Sequence, residues 1–243
     1  MNLKVLGSSS KGNCYILENE TEALVIECGV PLADVKKAID FNIKKIAGCV
    51  VSHEHLDHAK FVKNFIDSGI RVYMSTGTAR SLGIELETVC GNTCHFKLGG
   101  FHIMSFHVNH DAAEPIGFLI NHKETGTVLF ATDTSRLNYQ FKNLSNILIE
   151  CNYRIDLLEK NTKKGYVSNS LMKRTIENHM GYGTCLDILK STDLSMVNNI
   201  VLLHLSDCNS NSAEFVEDII NATGKNVFVA DKGLNIKLNK TPF

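Results

Sequence analysis

No stretch of this sequence is apolar for long enough to cross a bilayer as a helix: its longest runs, such as Ile200-Val201-Leu202-Leu203, have the length of a strand. The opening Met1-Asn2-Leu3-Lys4-Val5-Leu6-Gly7 lacks the apolar core and small-residue cleavage site of a secretory signal. These absences exclude a helical membrane partner and give the expectation of a cytoplasmic protein. A disulfide framework is also missing. The eight cysteines are scattered, several inside apparent strands, and a chain of 243 residues can build its core without covalent staples. They are expected to be reduced and buried as small hydrophobes. Cys90-x-x-x-Cys94-His95 has no second pair close by, which leaves a zinc knuckle unsupported. Nor is there an excess of one charge: the formal net charge of −1 neither demands nor excludes a nucleic-acid partner. No Pro-rich linker, low-complexity tract or short-period repeat divides the chain, so one domain is expected over residues 1–243.

What is present is an ordered succession of short elements. Strands are predicted at Lys4–Leu6, Tyr15–Leu17 and Ala23–Glu27, with a Gly/Ser turn over residues 7–12. Pro31 suits the first turn of a helix reaching about Ile39. Ile46–Ser52 reads as a buried strand, followed by a helix at Ala59–Ser68, a strand at Arg71–Met74 and a short helix at Thr76–Leu82. A meander is expected at Cys94–Leu98, Phe101–Val108, Ile116–Asn121 and Val128–Ala131, with another strand at Ile147–Glu150. The last third alternates helix and strand, with strands at Asn199–His204 and Asn226–Val229 and a helix at Ala213–Ala222. This order fits an α/β fold of two mixed β-sheets flanked by helices, a four-layer αβ/βα sandwich.

The chemistry concentrates at Val50-Val51-Ser52-His53-Glu54-His55-Leu56-Asp57-His58. An extended chain points alternate residues one way, so an apolar strand delivers His53 and His55 to the same side. The chain then turns into a helix, where Asp57 and His58 can face a second position. Two imidazoles suit a borderline metal such as zinc, and a carboxylate with a further imidazole begins a second site. Further ligands stand at strand ends: His110 after Phe101–Val108, Asp133 after Val128–Ala131, and His204 after Ile200–Leu203. Asp133 would emerge at a sheet edge, placed to bridge two ions. His107 competes with His110 for its role, while His102 reads as a strand-surface residue and His122 as a loop residue.

The arrangement resembles the metallo-β-lactamase superfamily, whose HxHxDH signature is matched in full. That resemblance implies two divalent metal ions, zinc or manganese, one held by His53, His55 and His110 and the other by Asp57, His58 and His204, with Asp133 between them. Four more segments resemble the YycJ/WalJ-type hydrolases: Gly7-Ser8-Ser9-Ser10-Lys11-Gly12-Asn13-Cys14, His110-Asp111-Ala112-Ala113, Glu150-Cys151-Asn152-Tyr153 and His204-Leu205-Ser206-Asp207-Cys208-Asn209. Tyr153 stands where that group usually has a histidine. Asn178-His179-Met180-Gly181 stands where it has a GHLSN-like motif, keeping the histidine and changing its flanks. Related to RNase J and RNase Z, the group implies a 5′-to-3′ DNA exonuclease in which a hydroxide between the two ions attacks the phosphodiester. His179 would then donate to a phosphoryl oxygen or to the leaving group, and Glu150 would hold His179 or assist proton transfer.

A basic segment lies between two of these motifs: Arg154, Lys160, Lys163, Lys164, Lys173 and Arg174 against Asp156 and Glu159. A solvated face explains it as well as a nucleic-acid contact does. On the functional reading, Lys163, Lys164, Lys173 and Arg174 bind phosphates, with Asn13, Ser206 and Asn209 lining the pocket. The glycines at 181 and 183 precede a helix expected near Thr184, whose free amides could receive a phosphate. DNA is favoured over RNA as partner. The alternatives are a phosphodiesterase for cyclic or short signalling nucleotides, a glyoxalase II-like thioesterase, and an inert module that kept the fold.

Overall fold

In a computed structural model, residues 1–85, the backbone of 89–90 and residues 93–241 are described. Among them the strands, in chain order, are β1 (Asn2–Gly7), β2 (Cys14–Glu18), β3 (Ala23–Ile26), β4 (Ile46–Val50), β5 (Val72–Ser75), β6 (Val89–Cys90) and β7 (His95–Leu98). They continue with β8 (Phe101–His107), β9 (Ile116–His122), β10 (Gly126–Ala131), β11 (Leu144–Glu150), β12 (Asn199–Leu203), β13 (Asn226–Val229) and β14 (Asn235–Lys237). The helices are α1 (Leu32–Ala38), α2 (Leu56–Ala59), α3 (Val62–Asp67), α4 (Thr76–Ser81), α5 (Ile155–Lys163), α6 (Asn169–Asn178), α7 (Tyr182–Ser191) and α8 (Ser212–Thr223).

The strands form two seven-stranded sheets, ordered β14-β1-β2-β3-β4-β5-β6 and β13-β12-β11-β10-β9-β8-β7. Each sheet changes from antiparallel to parallel pairing at its middle strand. In the first, β2 pairs antiparallel with β3, which pairs parallel with β4. In the second, β9 pairs antiparallel with β10, which pairs parallel with β11. The chain therefore repeats one topological plan without any repeat in its sequence, because strand pairing depends on apolar alternation and not on residue identity.

Alternation also sets the layers. Leu3, Val5, Tyr15 and Leu17 face Phe101, Ile103, Phe118 and Phe130 across the space between the sheets. The opposite face of the first sheet, with Ile16, Val25 and Cys49, packs against Val35, Val62 and Phe65 of α1 and α3. Leu129, Ile147 and Leu202 of the second sheet pack against Leu189, Phe215 and Ile219 of α7 and α8. This is the expected four-layer αβ/βα sandwich. At about 25 cal/mol per Å² of buried apolar surface, these three cores supply the main drive to fold.

Several boundaries differ from expectation. The predicted helix at Ala59–Ser68 is two short helices, α2 and α3, and the first already begins inside the histidine motif at Leu56. The helix expected near Thr184 begins at Tyr182, and its first amide is taken by the Tyr153 carbonyl at 2.7 Å. His122 ends β9, buried beside Glu22, and does not lie in a loop. Of the cysteines, Cys208 is exposed and Cys94 half-buried, while the other described ones are buried thiols. The Cys90 side chain lies outside the described residues.

One buried ion triad ties the first sheet to its neighbours. Glu18 pairs with Lys4, and with Lys45 at 2.8 Å. Burial opposes ionisation of Glu18, but the two ammonium groups outweigh it and hold the carboxyl below its ordinary range. A depressed carboxylate pKa contributes stability above the unfolded value and loses it as pH falls through the folded one. Glu18→Gln is expected to lower stability at pH 7 by about 1–3 kcal/mol, a melting shift of roughly 3–10 °C. The gap to wild type should close below about pH 4. A gap independent of pH would assign the loss to packing.

Candidate metal centre

The site stands at the carboxyl ends of the central strands of both sheets, where the pairing changes direction, the usual place for a ligand crevice in open α/β sheets. β4 leads into His53 and His55, and α2 presents Asp57 and His58. From the second sheet come His110 beyond β8, Asp133 beyond β10, Glu150 at the end of β11 and His204 beyond β12. Glu27, Asp133 and His204 each end a strand with positive φ, 69°, 43° and 53°. That left-handed turn swings each side chain back toward the crevice.

Candidate ligand atoms fall into overlapping clusters, each within 4.8 Å: His53, His55, His110 and Asp133 in one, and Asp57, His58, Asp133 and His204 in the next. Asp133 joins them. Its Oδ2 is 3.6 Å from His110 Nε2 and 3.8 Å from His53 Nε2, while its Oδ1 is 3.4 Å from His58 Nε2 and 3.9 Å from His204 Nε2. Asp57 Oδ2 lies 3.4 Å from both His58 Nε2 and His204 Nε2. One carboxylate oxygen thus serves each group of imidazoles.

These residues fit a metal pair. His53 Nε2 is buried without a hydrogen-bond partner, a costly state for a ring nitrogen unless it is a ligand. His55 Nδ1 and His110 Nε2 approach to 3.1 Å, close to the edge of about 3.3 Å expected for a tetrahedron with bonds of about 2.0–2.1 Å. Two of the outer nitrogens are held as ligating histidines require: His110 Nδ1 donates to the Asn178 carbonyl at 3.0 Å, and His53 Nδ1 meets Ser52 Oγ at 2.8 Å. His58 Nδ1 faces Glu27 at 3.6 Å without a hydrogen bond.

Electrostatics follow from burial and crowding. Burial pushes His53 well below the ordinary histidine range and also lowers His110, keeping both as neutral donors. Burial acts against the Asp133 charge, but His204 and His58 outweigh it and hold the carboxyl well below its usual range. His179 sits beside the metal ligands, its Nδ1 2.7 Å from the fully buried Glu150. Burial opposes its protonation, yet the Glu150 charge and hydrogen bond prevail and push it up to about 9. Glu150 is itself fixed by the amides of Thr134 at 2.7 Å and Met180 at 3.2 Å.

The structure brings His53, His55, Asp57, His58, His110, Asp133 and His204 together, with Glu150 and His179 adjoining. It places the expected substrate contacts less evenly. Arg174 lines the same cavity of about 360 Å³ as His55, Asp57, His110, Asp133, His179 and His204, and pairs with Asp111 at 2.9 Å. Lys173 pairs with Glu177 on the outer side of α6, and Lys163 and Lys164 lie at the far end of α5. Asn13 is buried within the ligand set, its amide 3.0 Å from His58 Nε2 and 3.3 Å from Asp57 Oδ2. Ser206 faces a neighbouring polar cleft with Lys11 and Asp207, and Asn209 braces Asn161 at 2.9 Å; neither lines the metal cavity. The start of α7 does not line it either. Tyr153, in place of a histidine, packs with Leu158 and Val167 beneath the α5–α6 turn.

Sequence reasoning missed three supporting residues. Glu27 accepts from the Ser52 amide at 3.3 Å and faces His58. Glu54, between two ligands, accepts from the Ala113 amide at 2.7 Å and so fixes the loop bearing His110. Asn152 bonds to the His204 carbonyl at 2.7 Å. Glu27 had a signal, an acid closing an apolar strand, the same signal that picks out Asp133.

His107 and His110 make a clean test. His107 points outward from β8, whereas the His110 ring is buried among the ligands. His110→Ala should lose about one bound ion and nearly all hydrolytic activity, and His107→Ala should keep both. Metal analysis by mass spectrometry with a parallel assay separates them; the reverse pattern would reassign the ligand.

Fold and site together define a metallo-β-lactamase-fold protein with clusters of histidine and aspartate that could hold metal. Residues 9–74 match the metallo-beta-lactamase superfamily, and the segment includes all four candidate ligands of the histidine motif. The chain is similar to exodeoxyribonuclease YycJ of Bacillus anthracis, 25% identical over 177 residues covering 65% of each protein. It thus spans just under two thirds of that relative's length. Among solved structures, YhfI from Bacillus subtilis superposes with a TM-score of 0.70 at 15% identity over 97% of this chain and 98% of its own. The short form of human tRNase Z superposes with a TM-score of 0.63 at 14% identity over 98% and 99%.

Proposed function

We propose that this protein is a binuclear metal-dependent phosphodiester hydrolase that shortens DNA from an end. The observation that carries the reading is the position of Asp133, one carboxylate oxygen toward each imidazole group, beside a histidine–glutamate pair and an arginine in a single small cavity. Bound at the two clusters, divalent ions would acidify water and neutralise charge on a phosphoryl group. The chain's own residues supply the rest. Arg174 offers a planar cation to a phosphate at the cavity mouth, in exchange for Asp111. His179, kept protonated by Glu150, stands ready to give its proton to the departing oxygen. A phosphodiester uses all of these groups, whereas a thioester has no charge for Arg174 to meet. The name of the YycJ relative supports DNA as the substrate.

The deciding experiment incubates protein reconstituted with zinc or manganese with end-labelled DNA, RNA and cyclic dinucleotides. Stepwise loss of terminal nucleotides from DNA is the expected result. Brisk cleavage of cyclic dinucleotides with DNA untouched would move the assignment to a signalling-nucleotide phosphodiesterase.

A further inference from the structure

The turn between α5 and α6 exposes an aromatic side chain. Tyr166 is 77% exposed, and Leu171 in the first turn of α6 is 51% exposed. α6 has no fully buried residue; Met172 packs against the small cluster beneath the turn, while Leu171 and Ile176 stay exposed. The turn itself is tightly held. Gly165 takes the left-handed conformation that reverses the chain, and the Tyr166 and Val167 amides donate to the Asn161 carbonyl at 3.0 and 3.4 Å. The Asn161 side chain in turn donates to the Cys208 carbonyl and to Asn209 Oδ1, both at 2.9 Å. Val167 packs with Leu158 and Tyr153 below, so the turn has its own small core without Tyr166. Lys163 and Lys164 come immediately before it.

The same helix reaches the metal centre. Leu171, Arg174, Thr175 and His179 all line the metal cavity. Ten residues at about 1.5 Å each make α6 about 15 Å long.

Resting on the nuclease reading above, we infer that the α5–α6 hairpin is a guide for single-stranded nucleic acid. Tyr166 stacks on an unpaired base of the strand whose scissile bond lies in the metal cavity. Lys163 and Lys164 meet the phosphates beside that base, and Leu171 lines the approach to the cavity. An exposed ring with adjacent free cations is the combination that binds single strands without regard to sequence, because every base has a face to stack. A duplex keeps those faces within its own stack and offers none to Tyr166.

The test uses the metal-loaded protein with phosphorothioate oligothymidylates of three and twelve nucleotides, followed by fluorescence anisotropy, and kcat/KM for the phosphodiester counterparts. The twelve-mer should bind wild type more tightly than the three-mer. Tyr166→Ala should remove about five- to a hundredfold of that advantage, and Tyr166→Phe should restore it. The double change Lys163→Gln and Lys164→Gln should reduce the slope of log affinity against log salt by about 1.4. Circular dichroism melts check that the exposed substitutions leave the fold intact. Equal binding of both lengths, a Tyr166→Ala protein that keeps the full advantage, or a duplex bound as well as a single strand would overturn the guide while leaving hydrolysis standing. Failure of the loaded wild type to cleave any oligonucleotide would instead defeat the nuclease reading itself.

Discussion

Asp133→Ala is expected to leave the purified protein almost free of transition metal, and turnover should fall by ~1000-fold or more, to assay background. No other single substitution should strip both ions. Its Oδ2 faces His53 and His110 and its Oδ1 faces His58 and His204, so its removal takes a ligand from both clusters. It also removes the negative charge that would offset the bound cations. Asp57→Ala, which faces only His58 and His204, should cost one ion and leave the other. Metal content by mass spectrometry after exhaustive dialysis reads the difference. If Asp133→Ala retains one full equivalent, Asp133 serves a single ion, and the bridging role passes elsewhere.

The second large effect is expected at His179. His179→Ala should slow cleavage of natural phosphodiesters by ~100-fold or more while both ions stay bound, because the ring adjoins the ligand set without completing it. The choice of leaving group separates proton donation from simple positioning. An alkoxide must be protonated as it departs, whereas a p-nitrophenolate need not be. The deficit should therefore shrink to a few-fold on bis(p-nitrophenyl) phosphate if His179 is the acid. An equal deficit on both substrates would make it a phosphate-binding group. Glu150→Gln should share the leaving-group dependence in weaker form, since it removes the charge that holds the proton on His179 at 2.7 Å.

The fold was legible because apolar alternation and turn residues are local signals, and β3, β8, β10 and β12 begin within a residue or two of their predicted positions. The ligand set was legible for a related reason. A titratable residue that closes a buried strand has nowhere to point but the sheet's edge, and Asp133 and His204 follow the apolar runs Val128–Ala131 and Ile200–Leu203. Glu27 obeys the same rule but was read only as the last residue of a strand, because nothing nearby in sequence marks it as His58's neighbour. The α5–α6 hairpin was illegible as structure. α6 has no fully buried residue, and its short apolar stripe of Leu171, Met172 and Ile176 was outweighed by charges that read as a solvated segment. Likewise, Lys163 and Arg174 are equivalent in composition, and only tertiary geometry places one in the metal cavity and the other far from it.

The left-handed backbone at Glu27, Asp133 and His204 sets the protein's durability against its chemistry. A residue with a Cβ held at positive φ costs about 1–3 kcal/mol, and glycine would relieve nearly all of it. Laboratory selection for heat resistance alone, in the presence of a chelator, should therefore accumulate glycine at 133 and 204 and return sturdy proteins that bind no metal. Breeding a hardier version calls for selection on survival and turnover together, with gains sought at helix surfaces remote from these three strand ends.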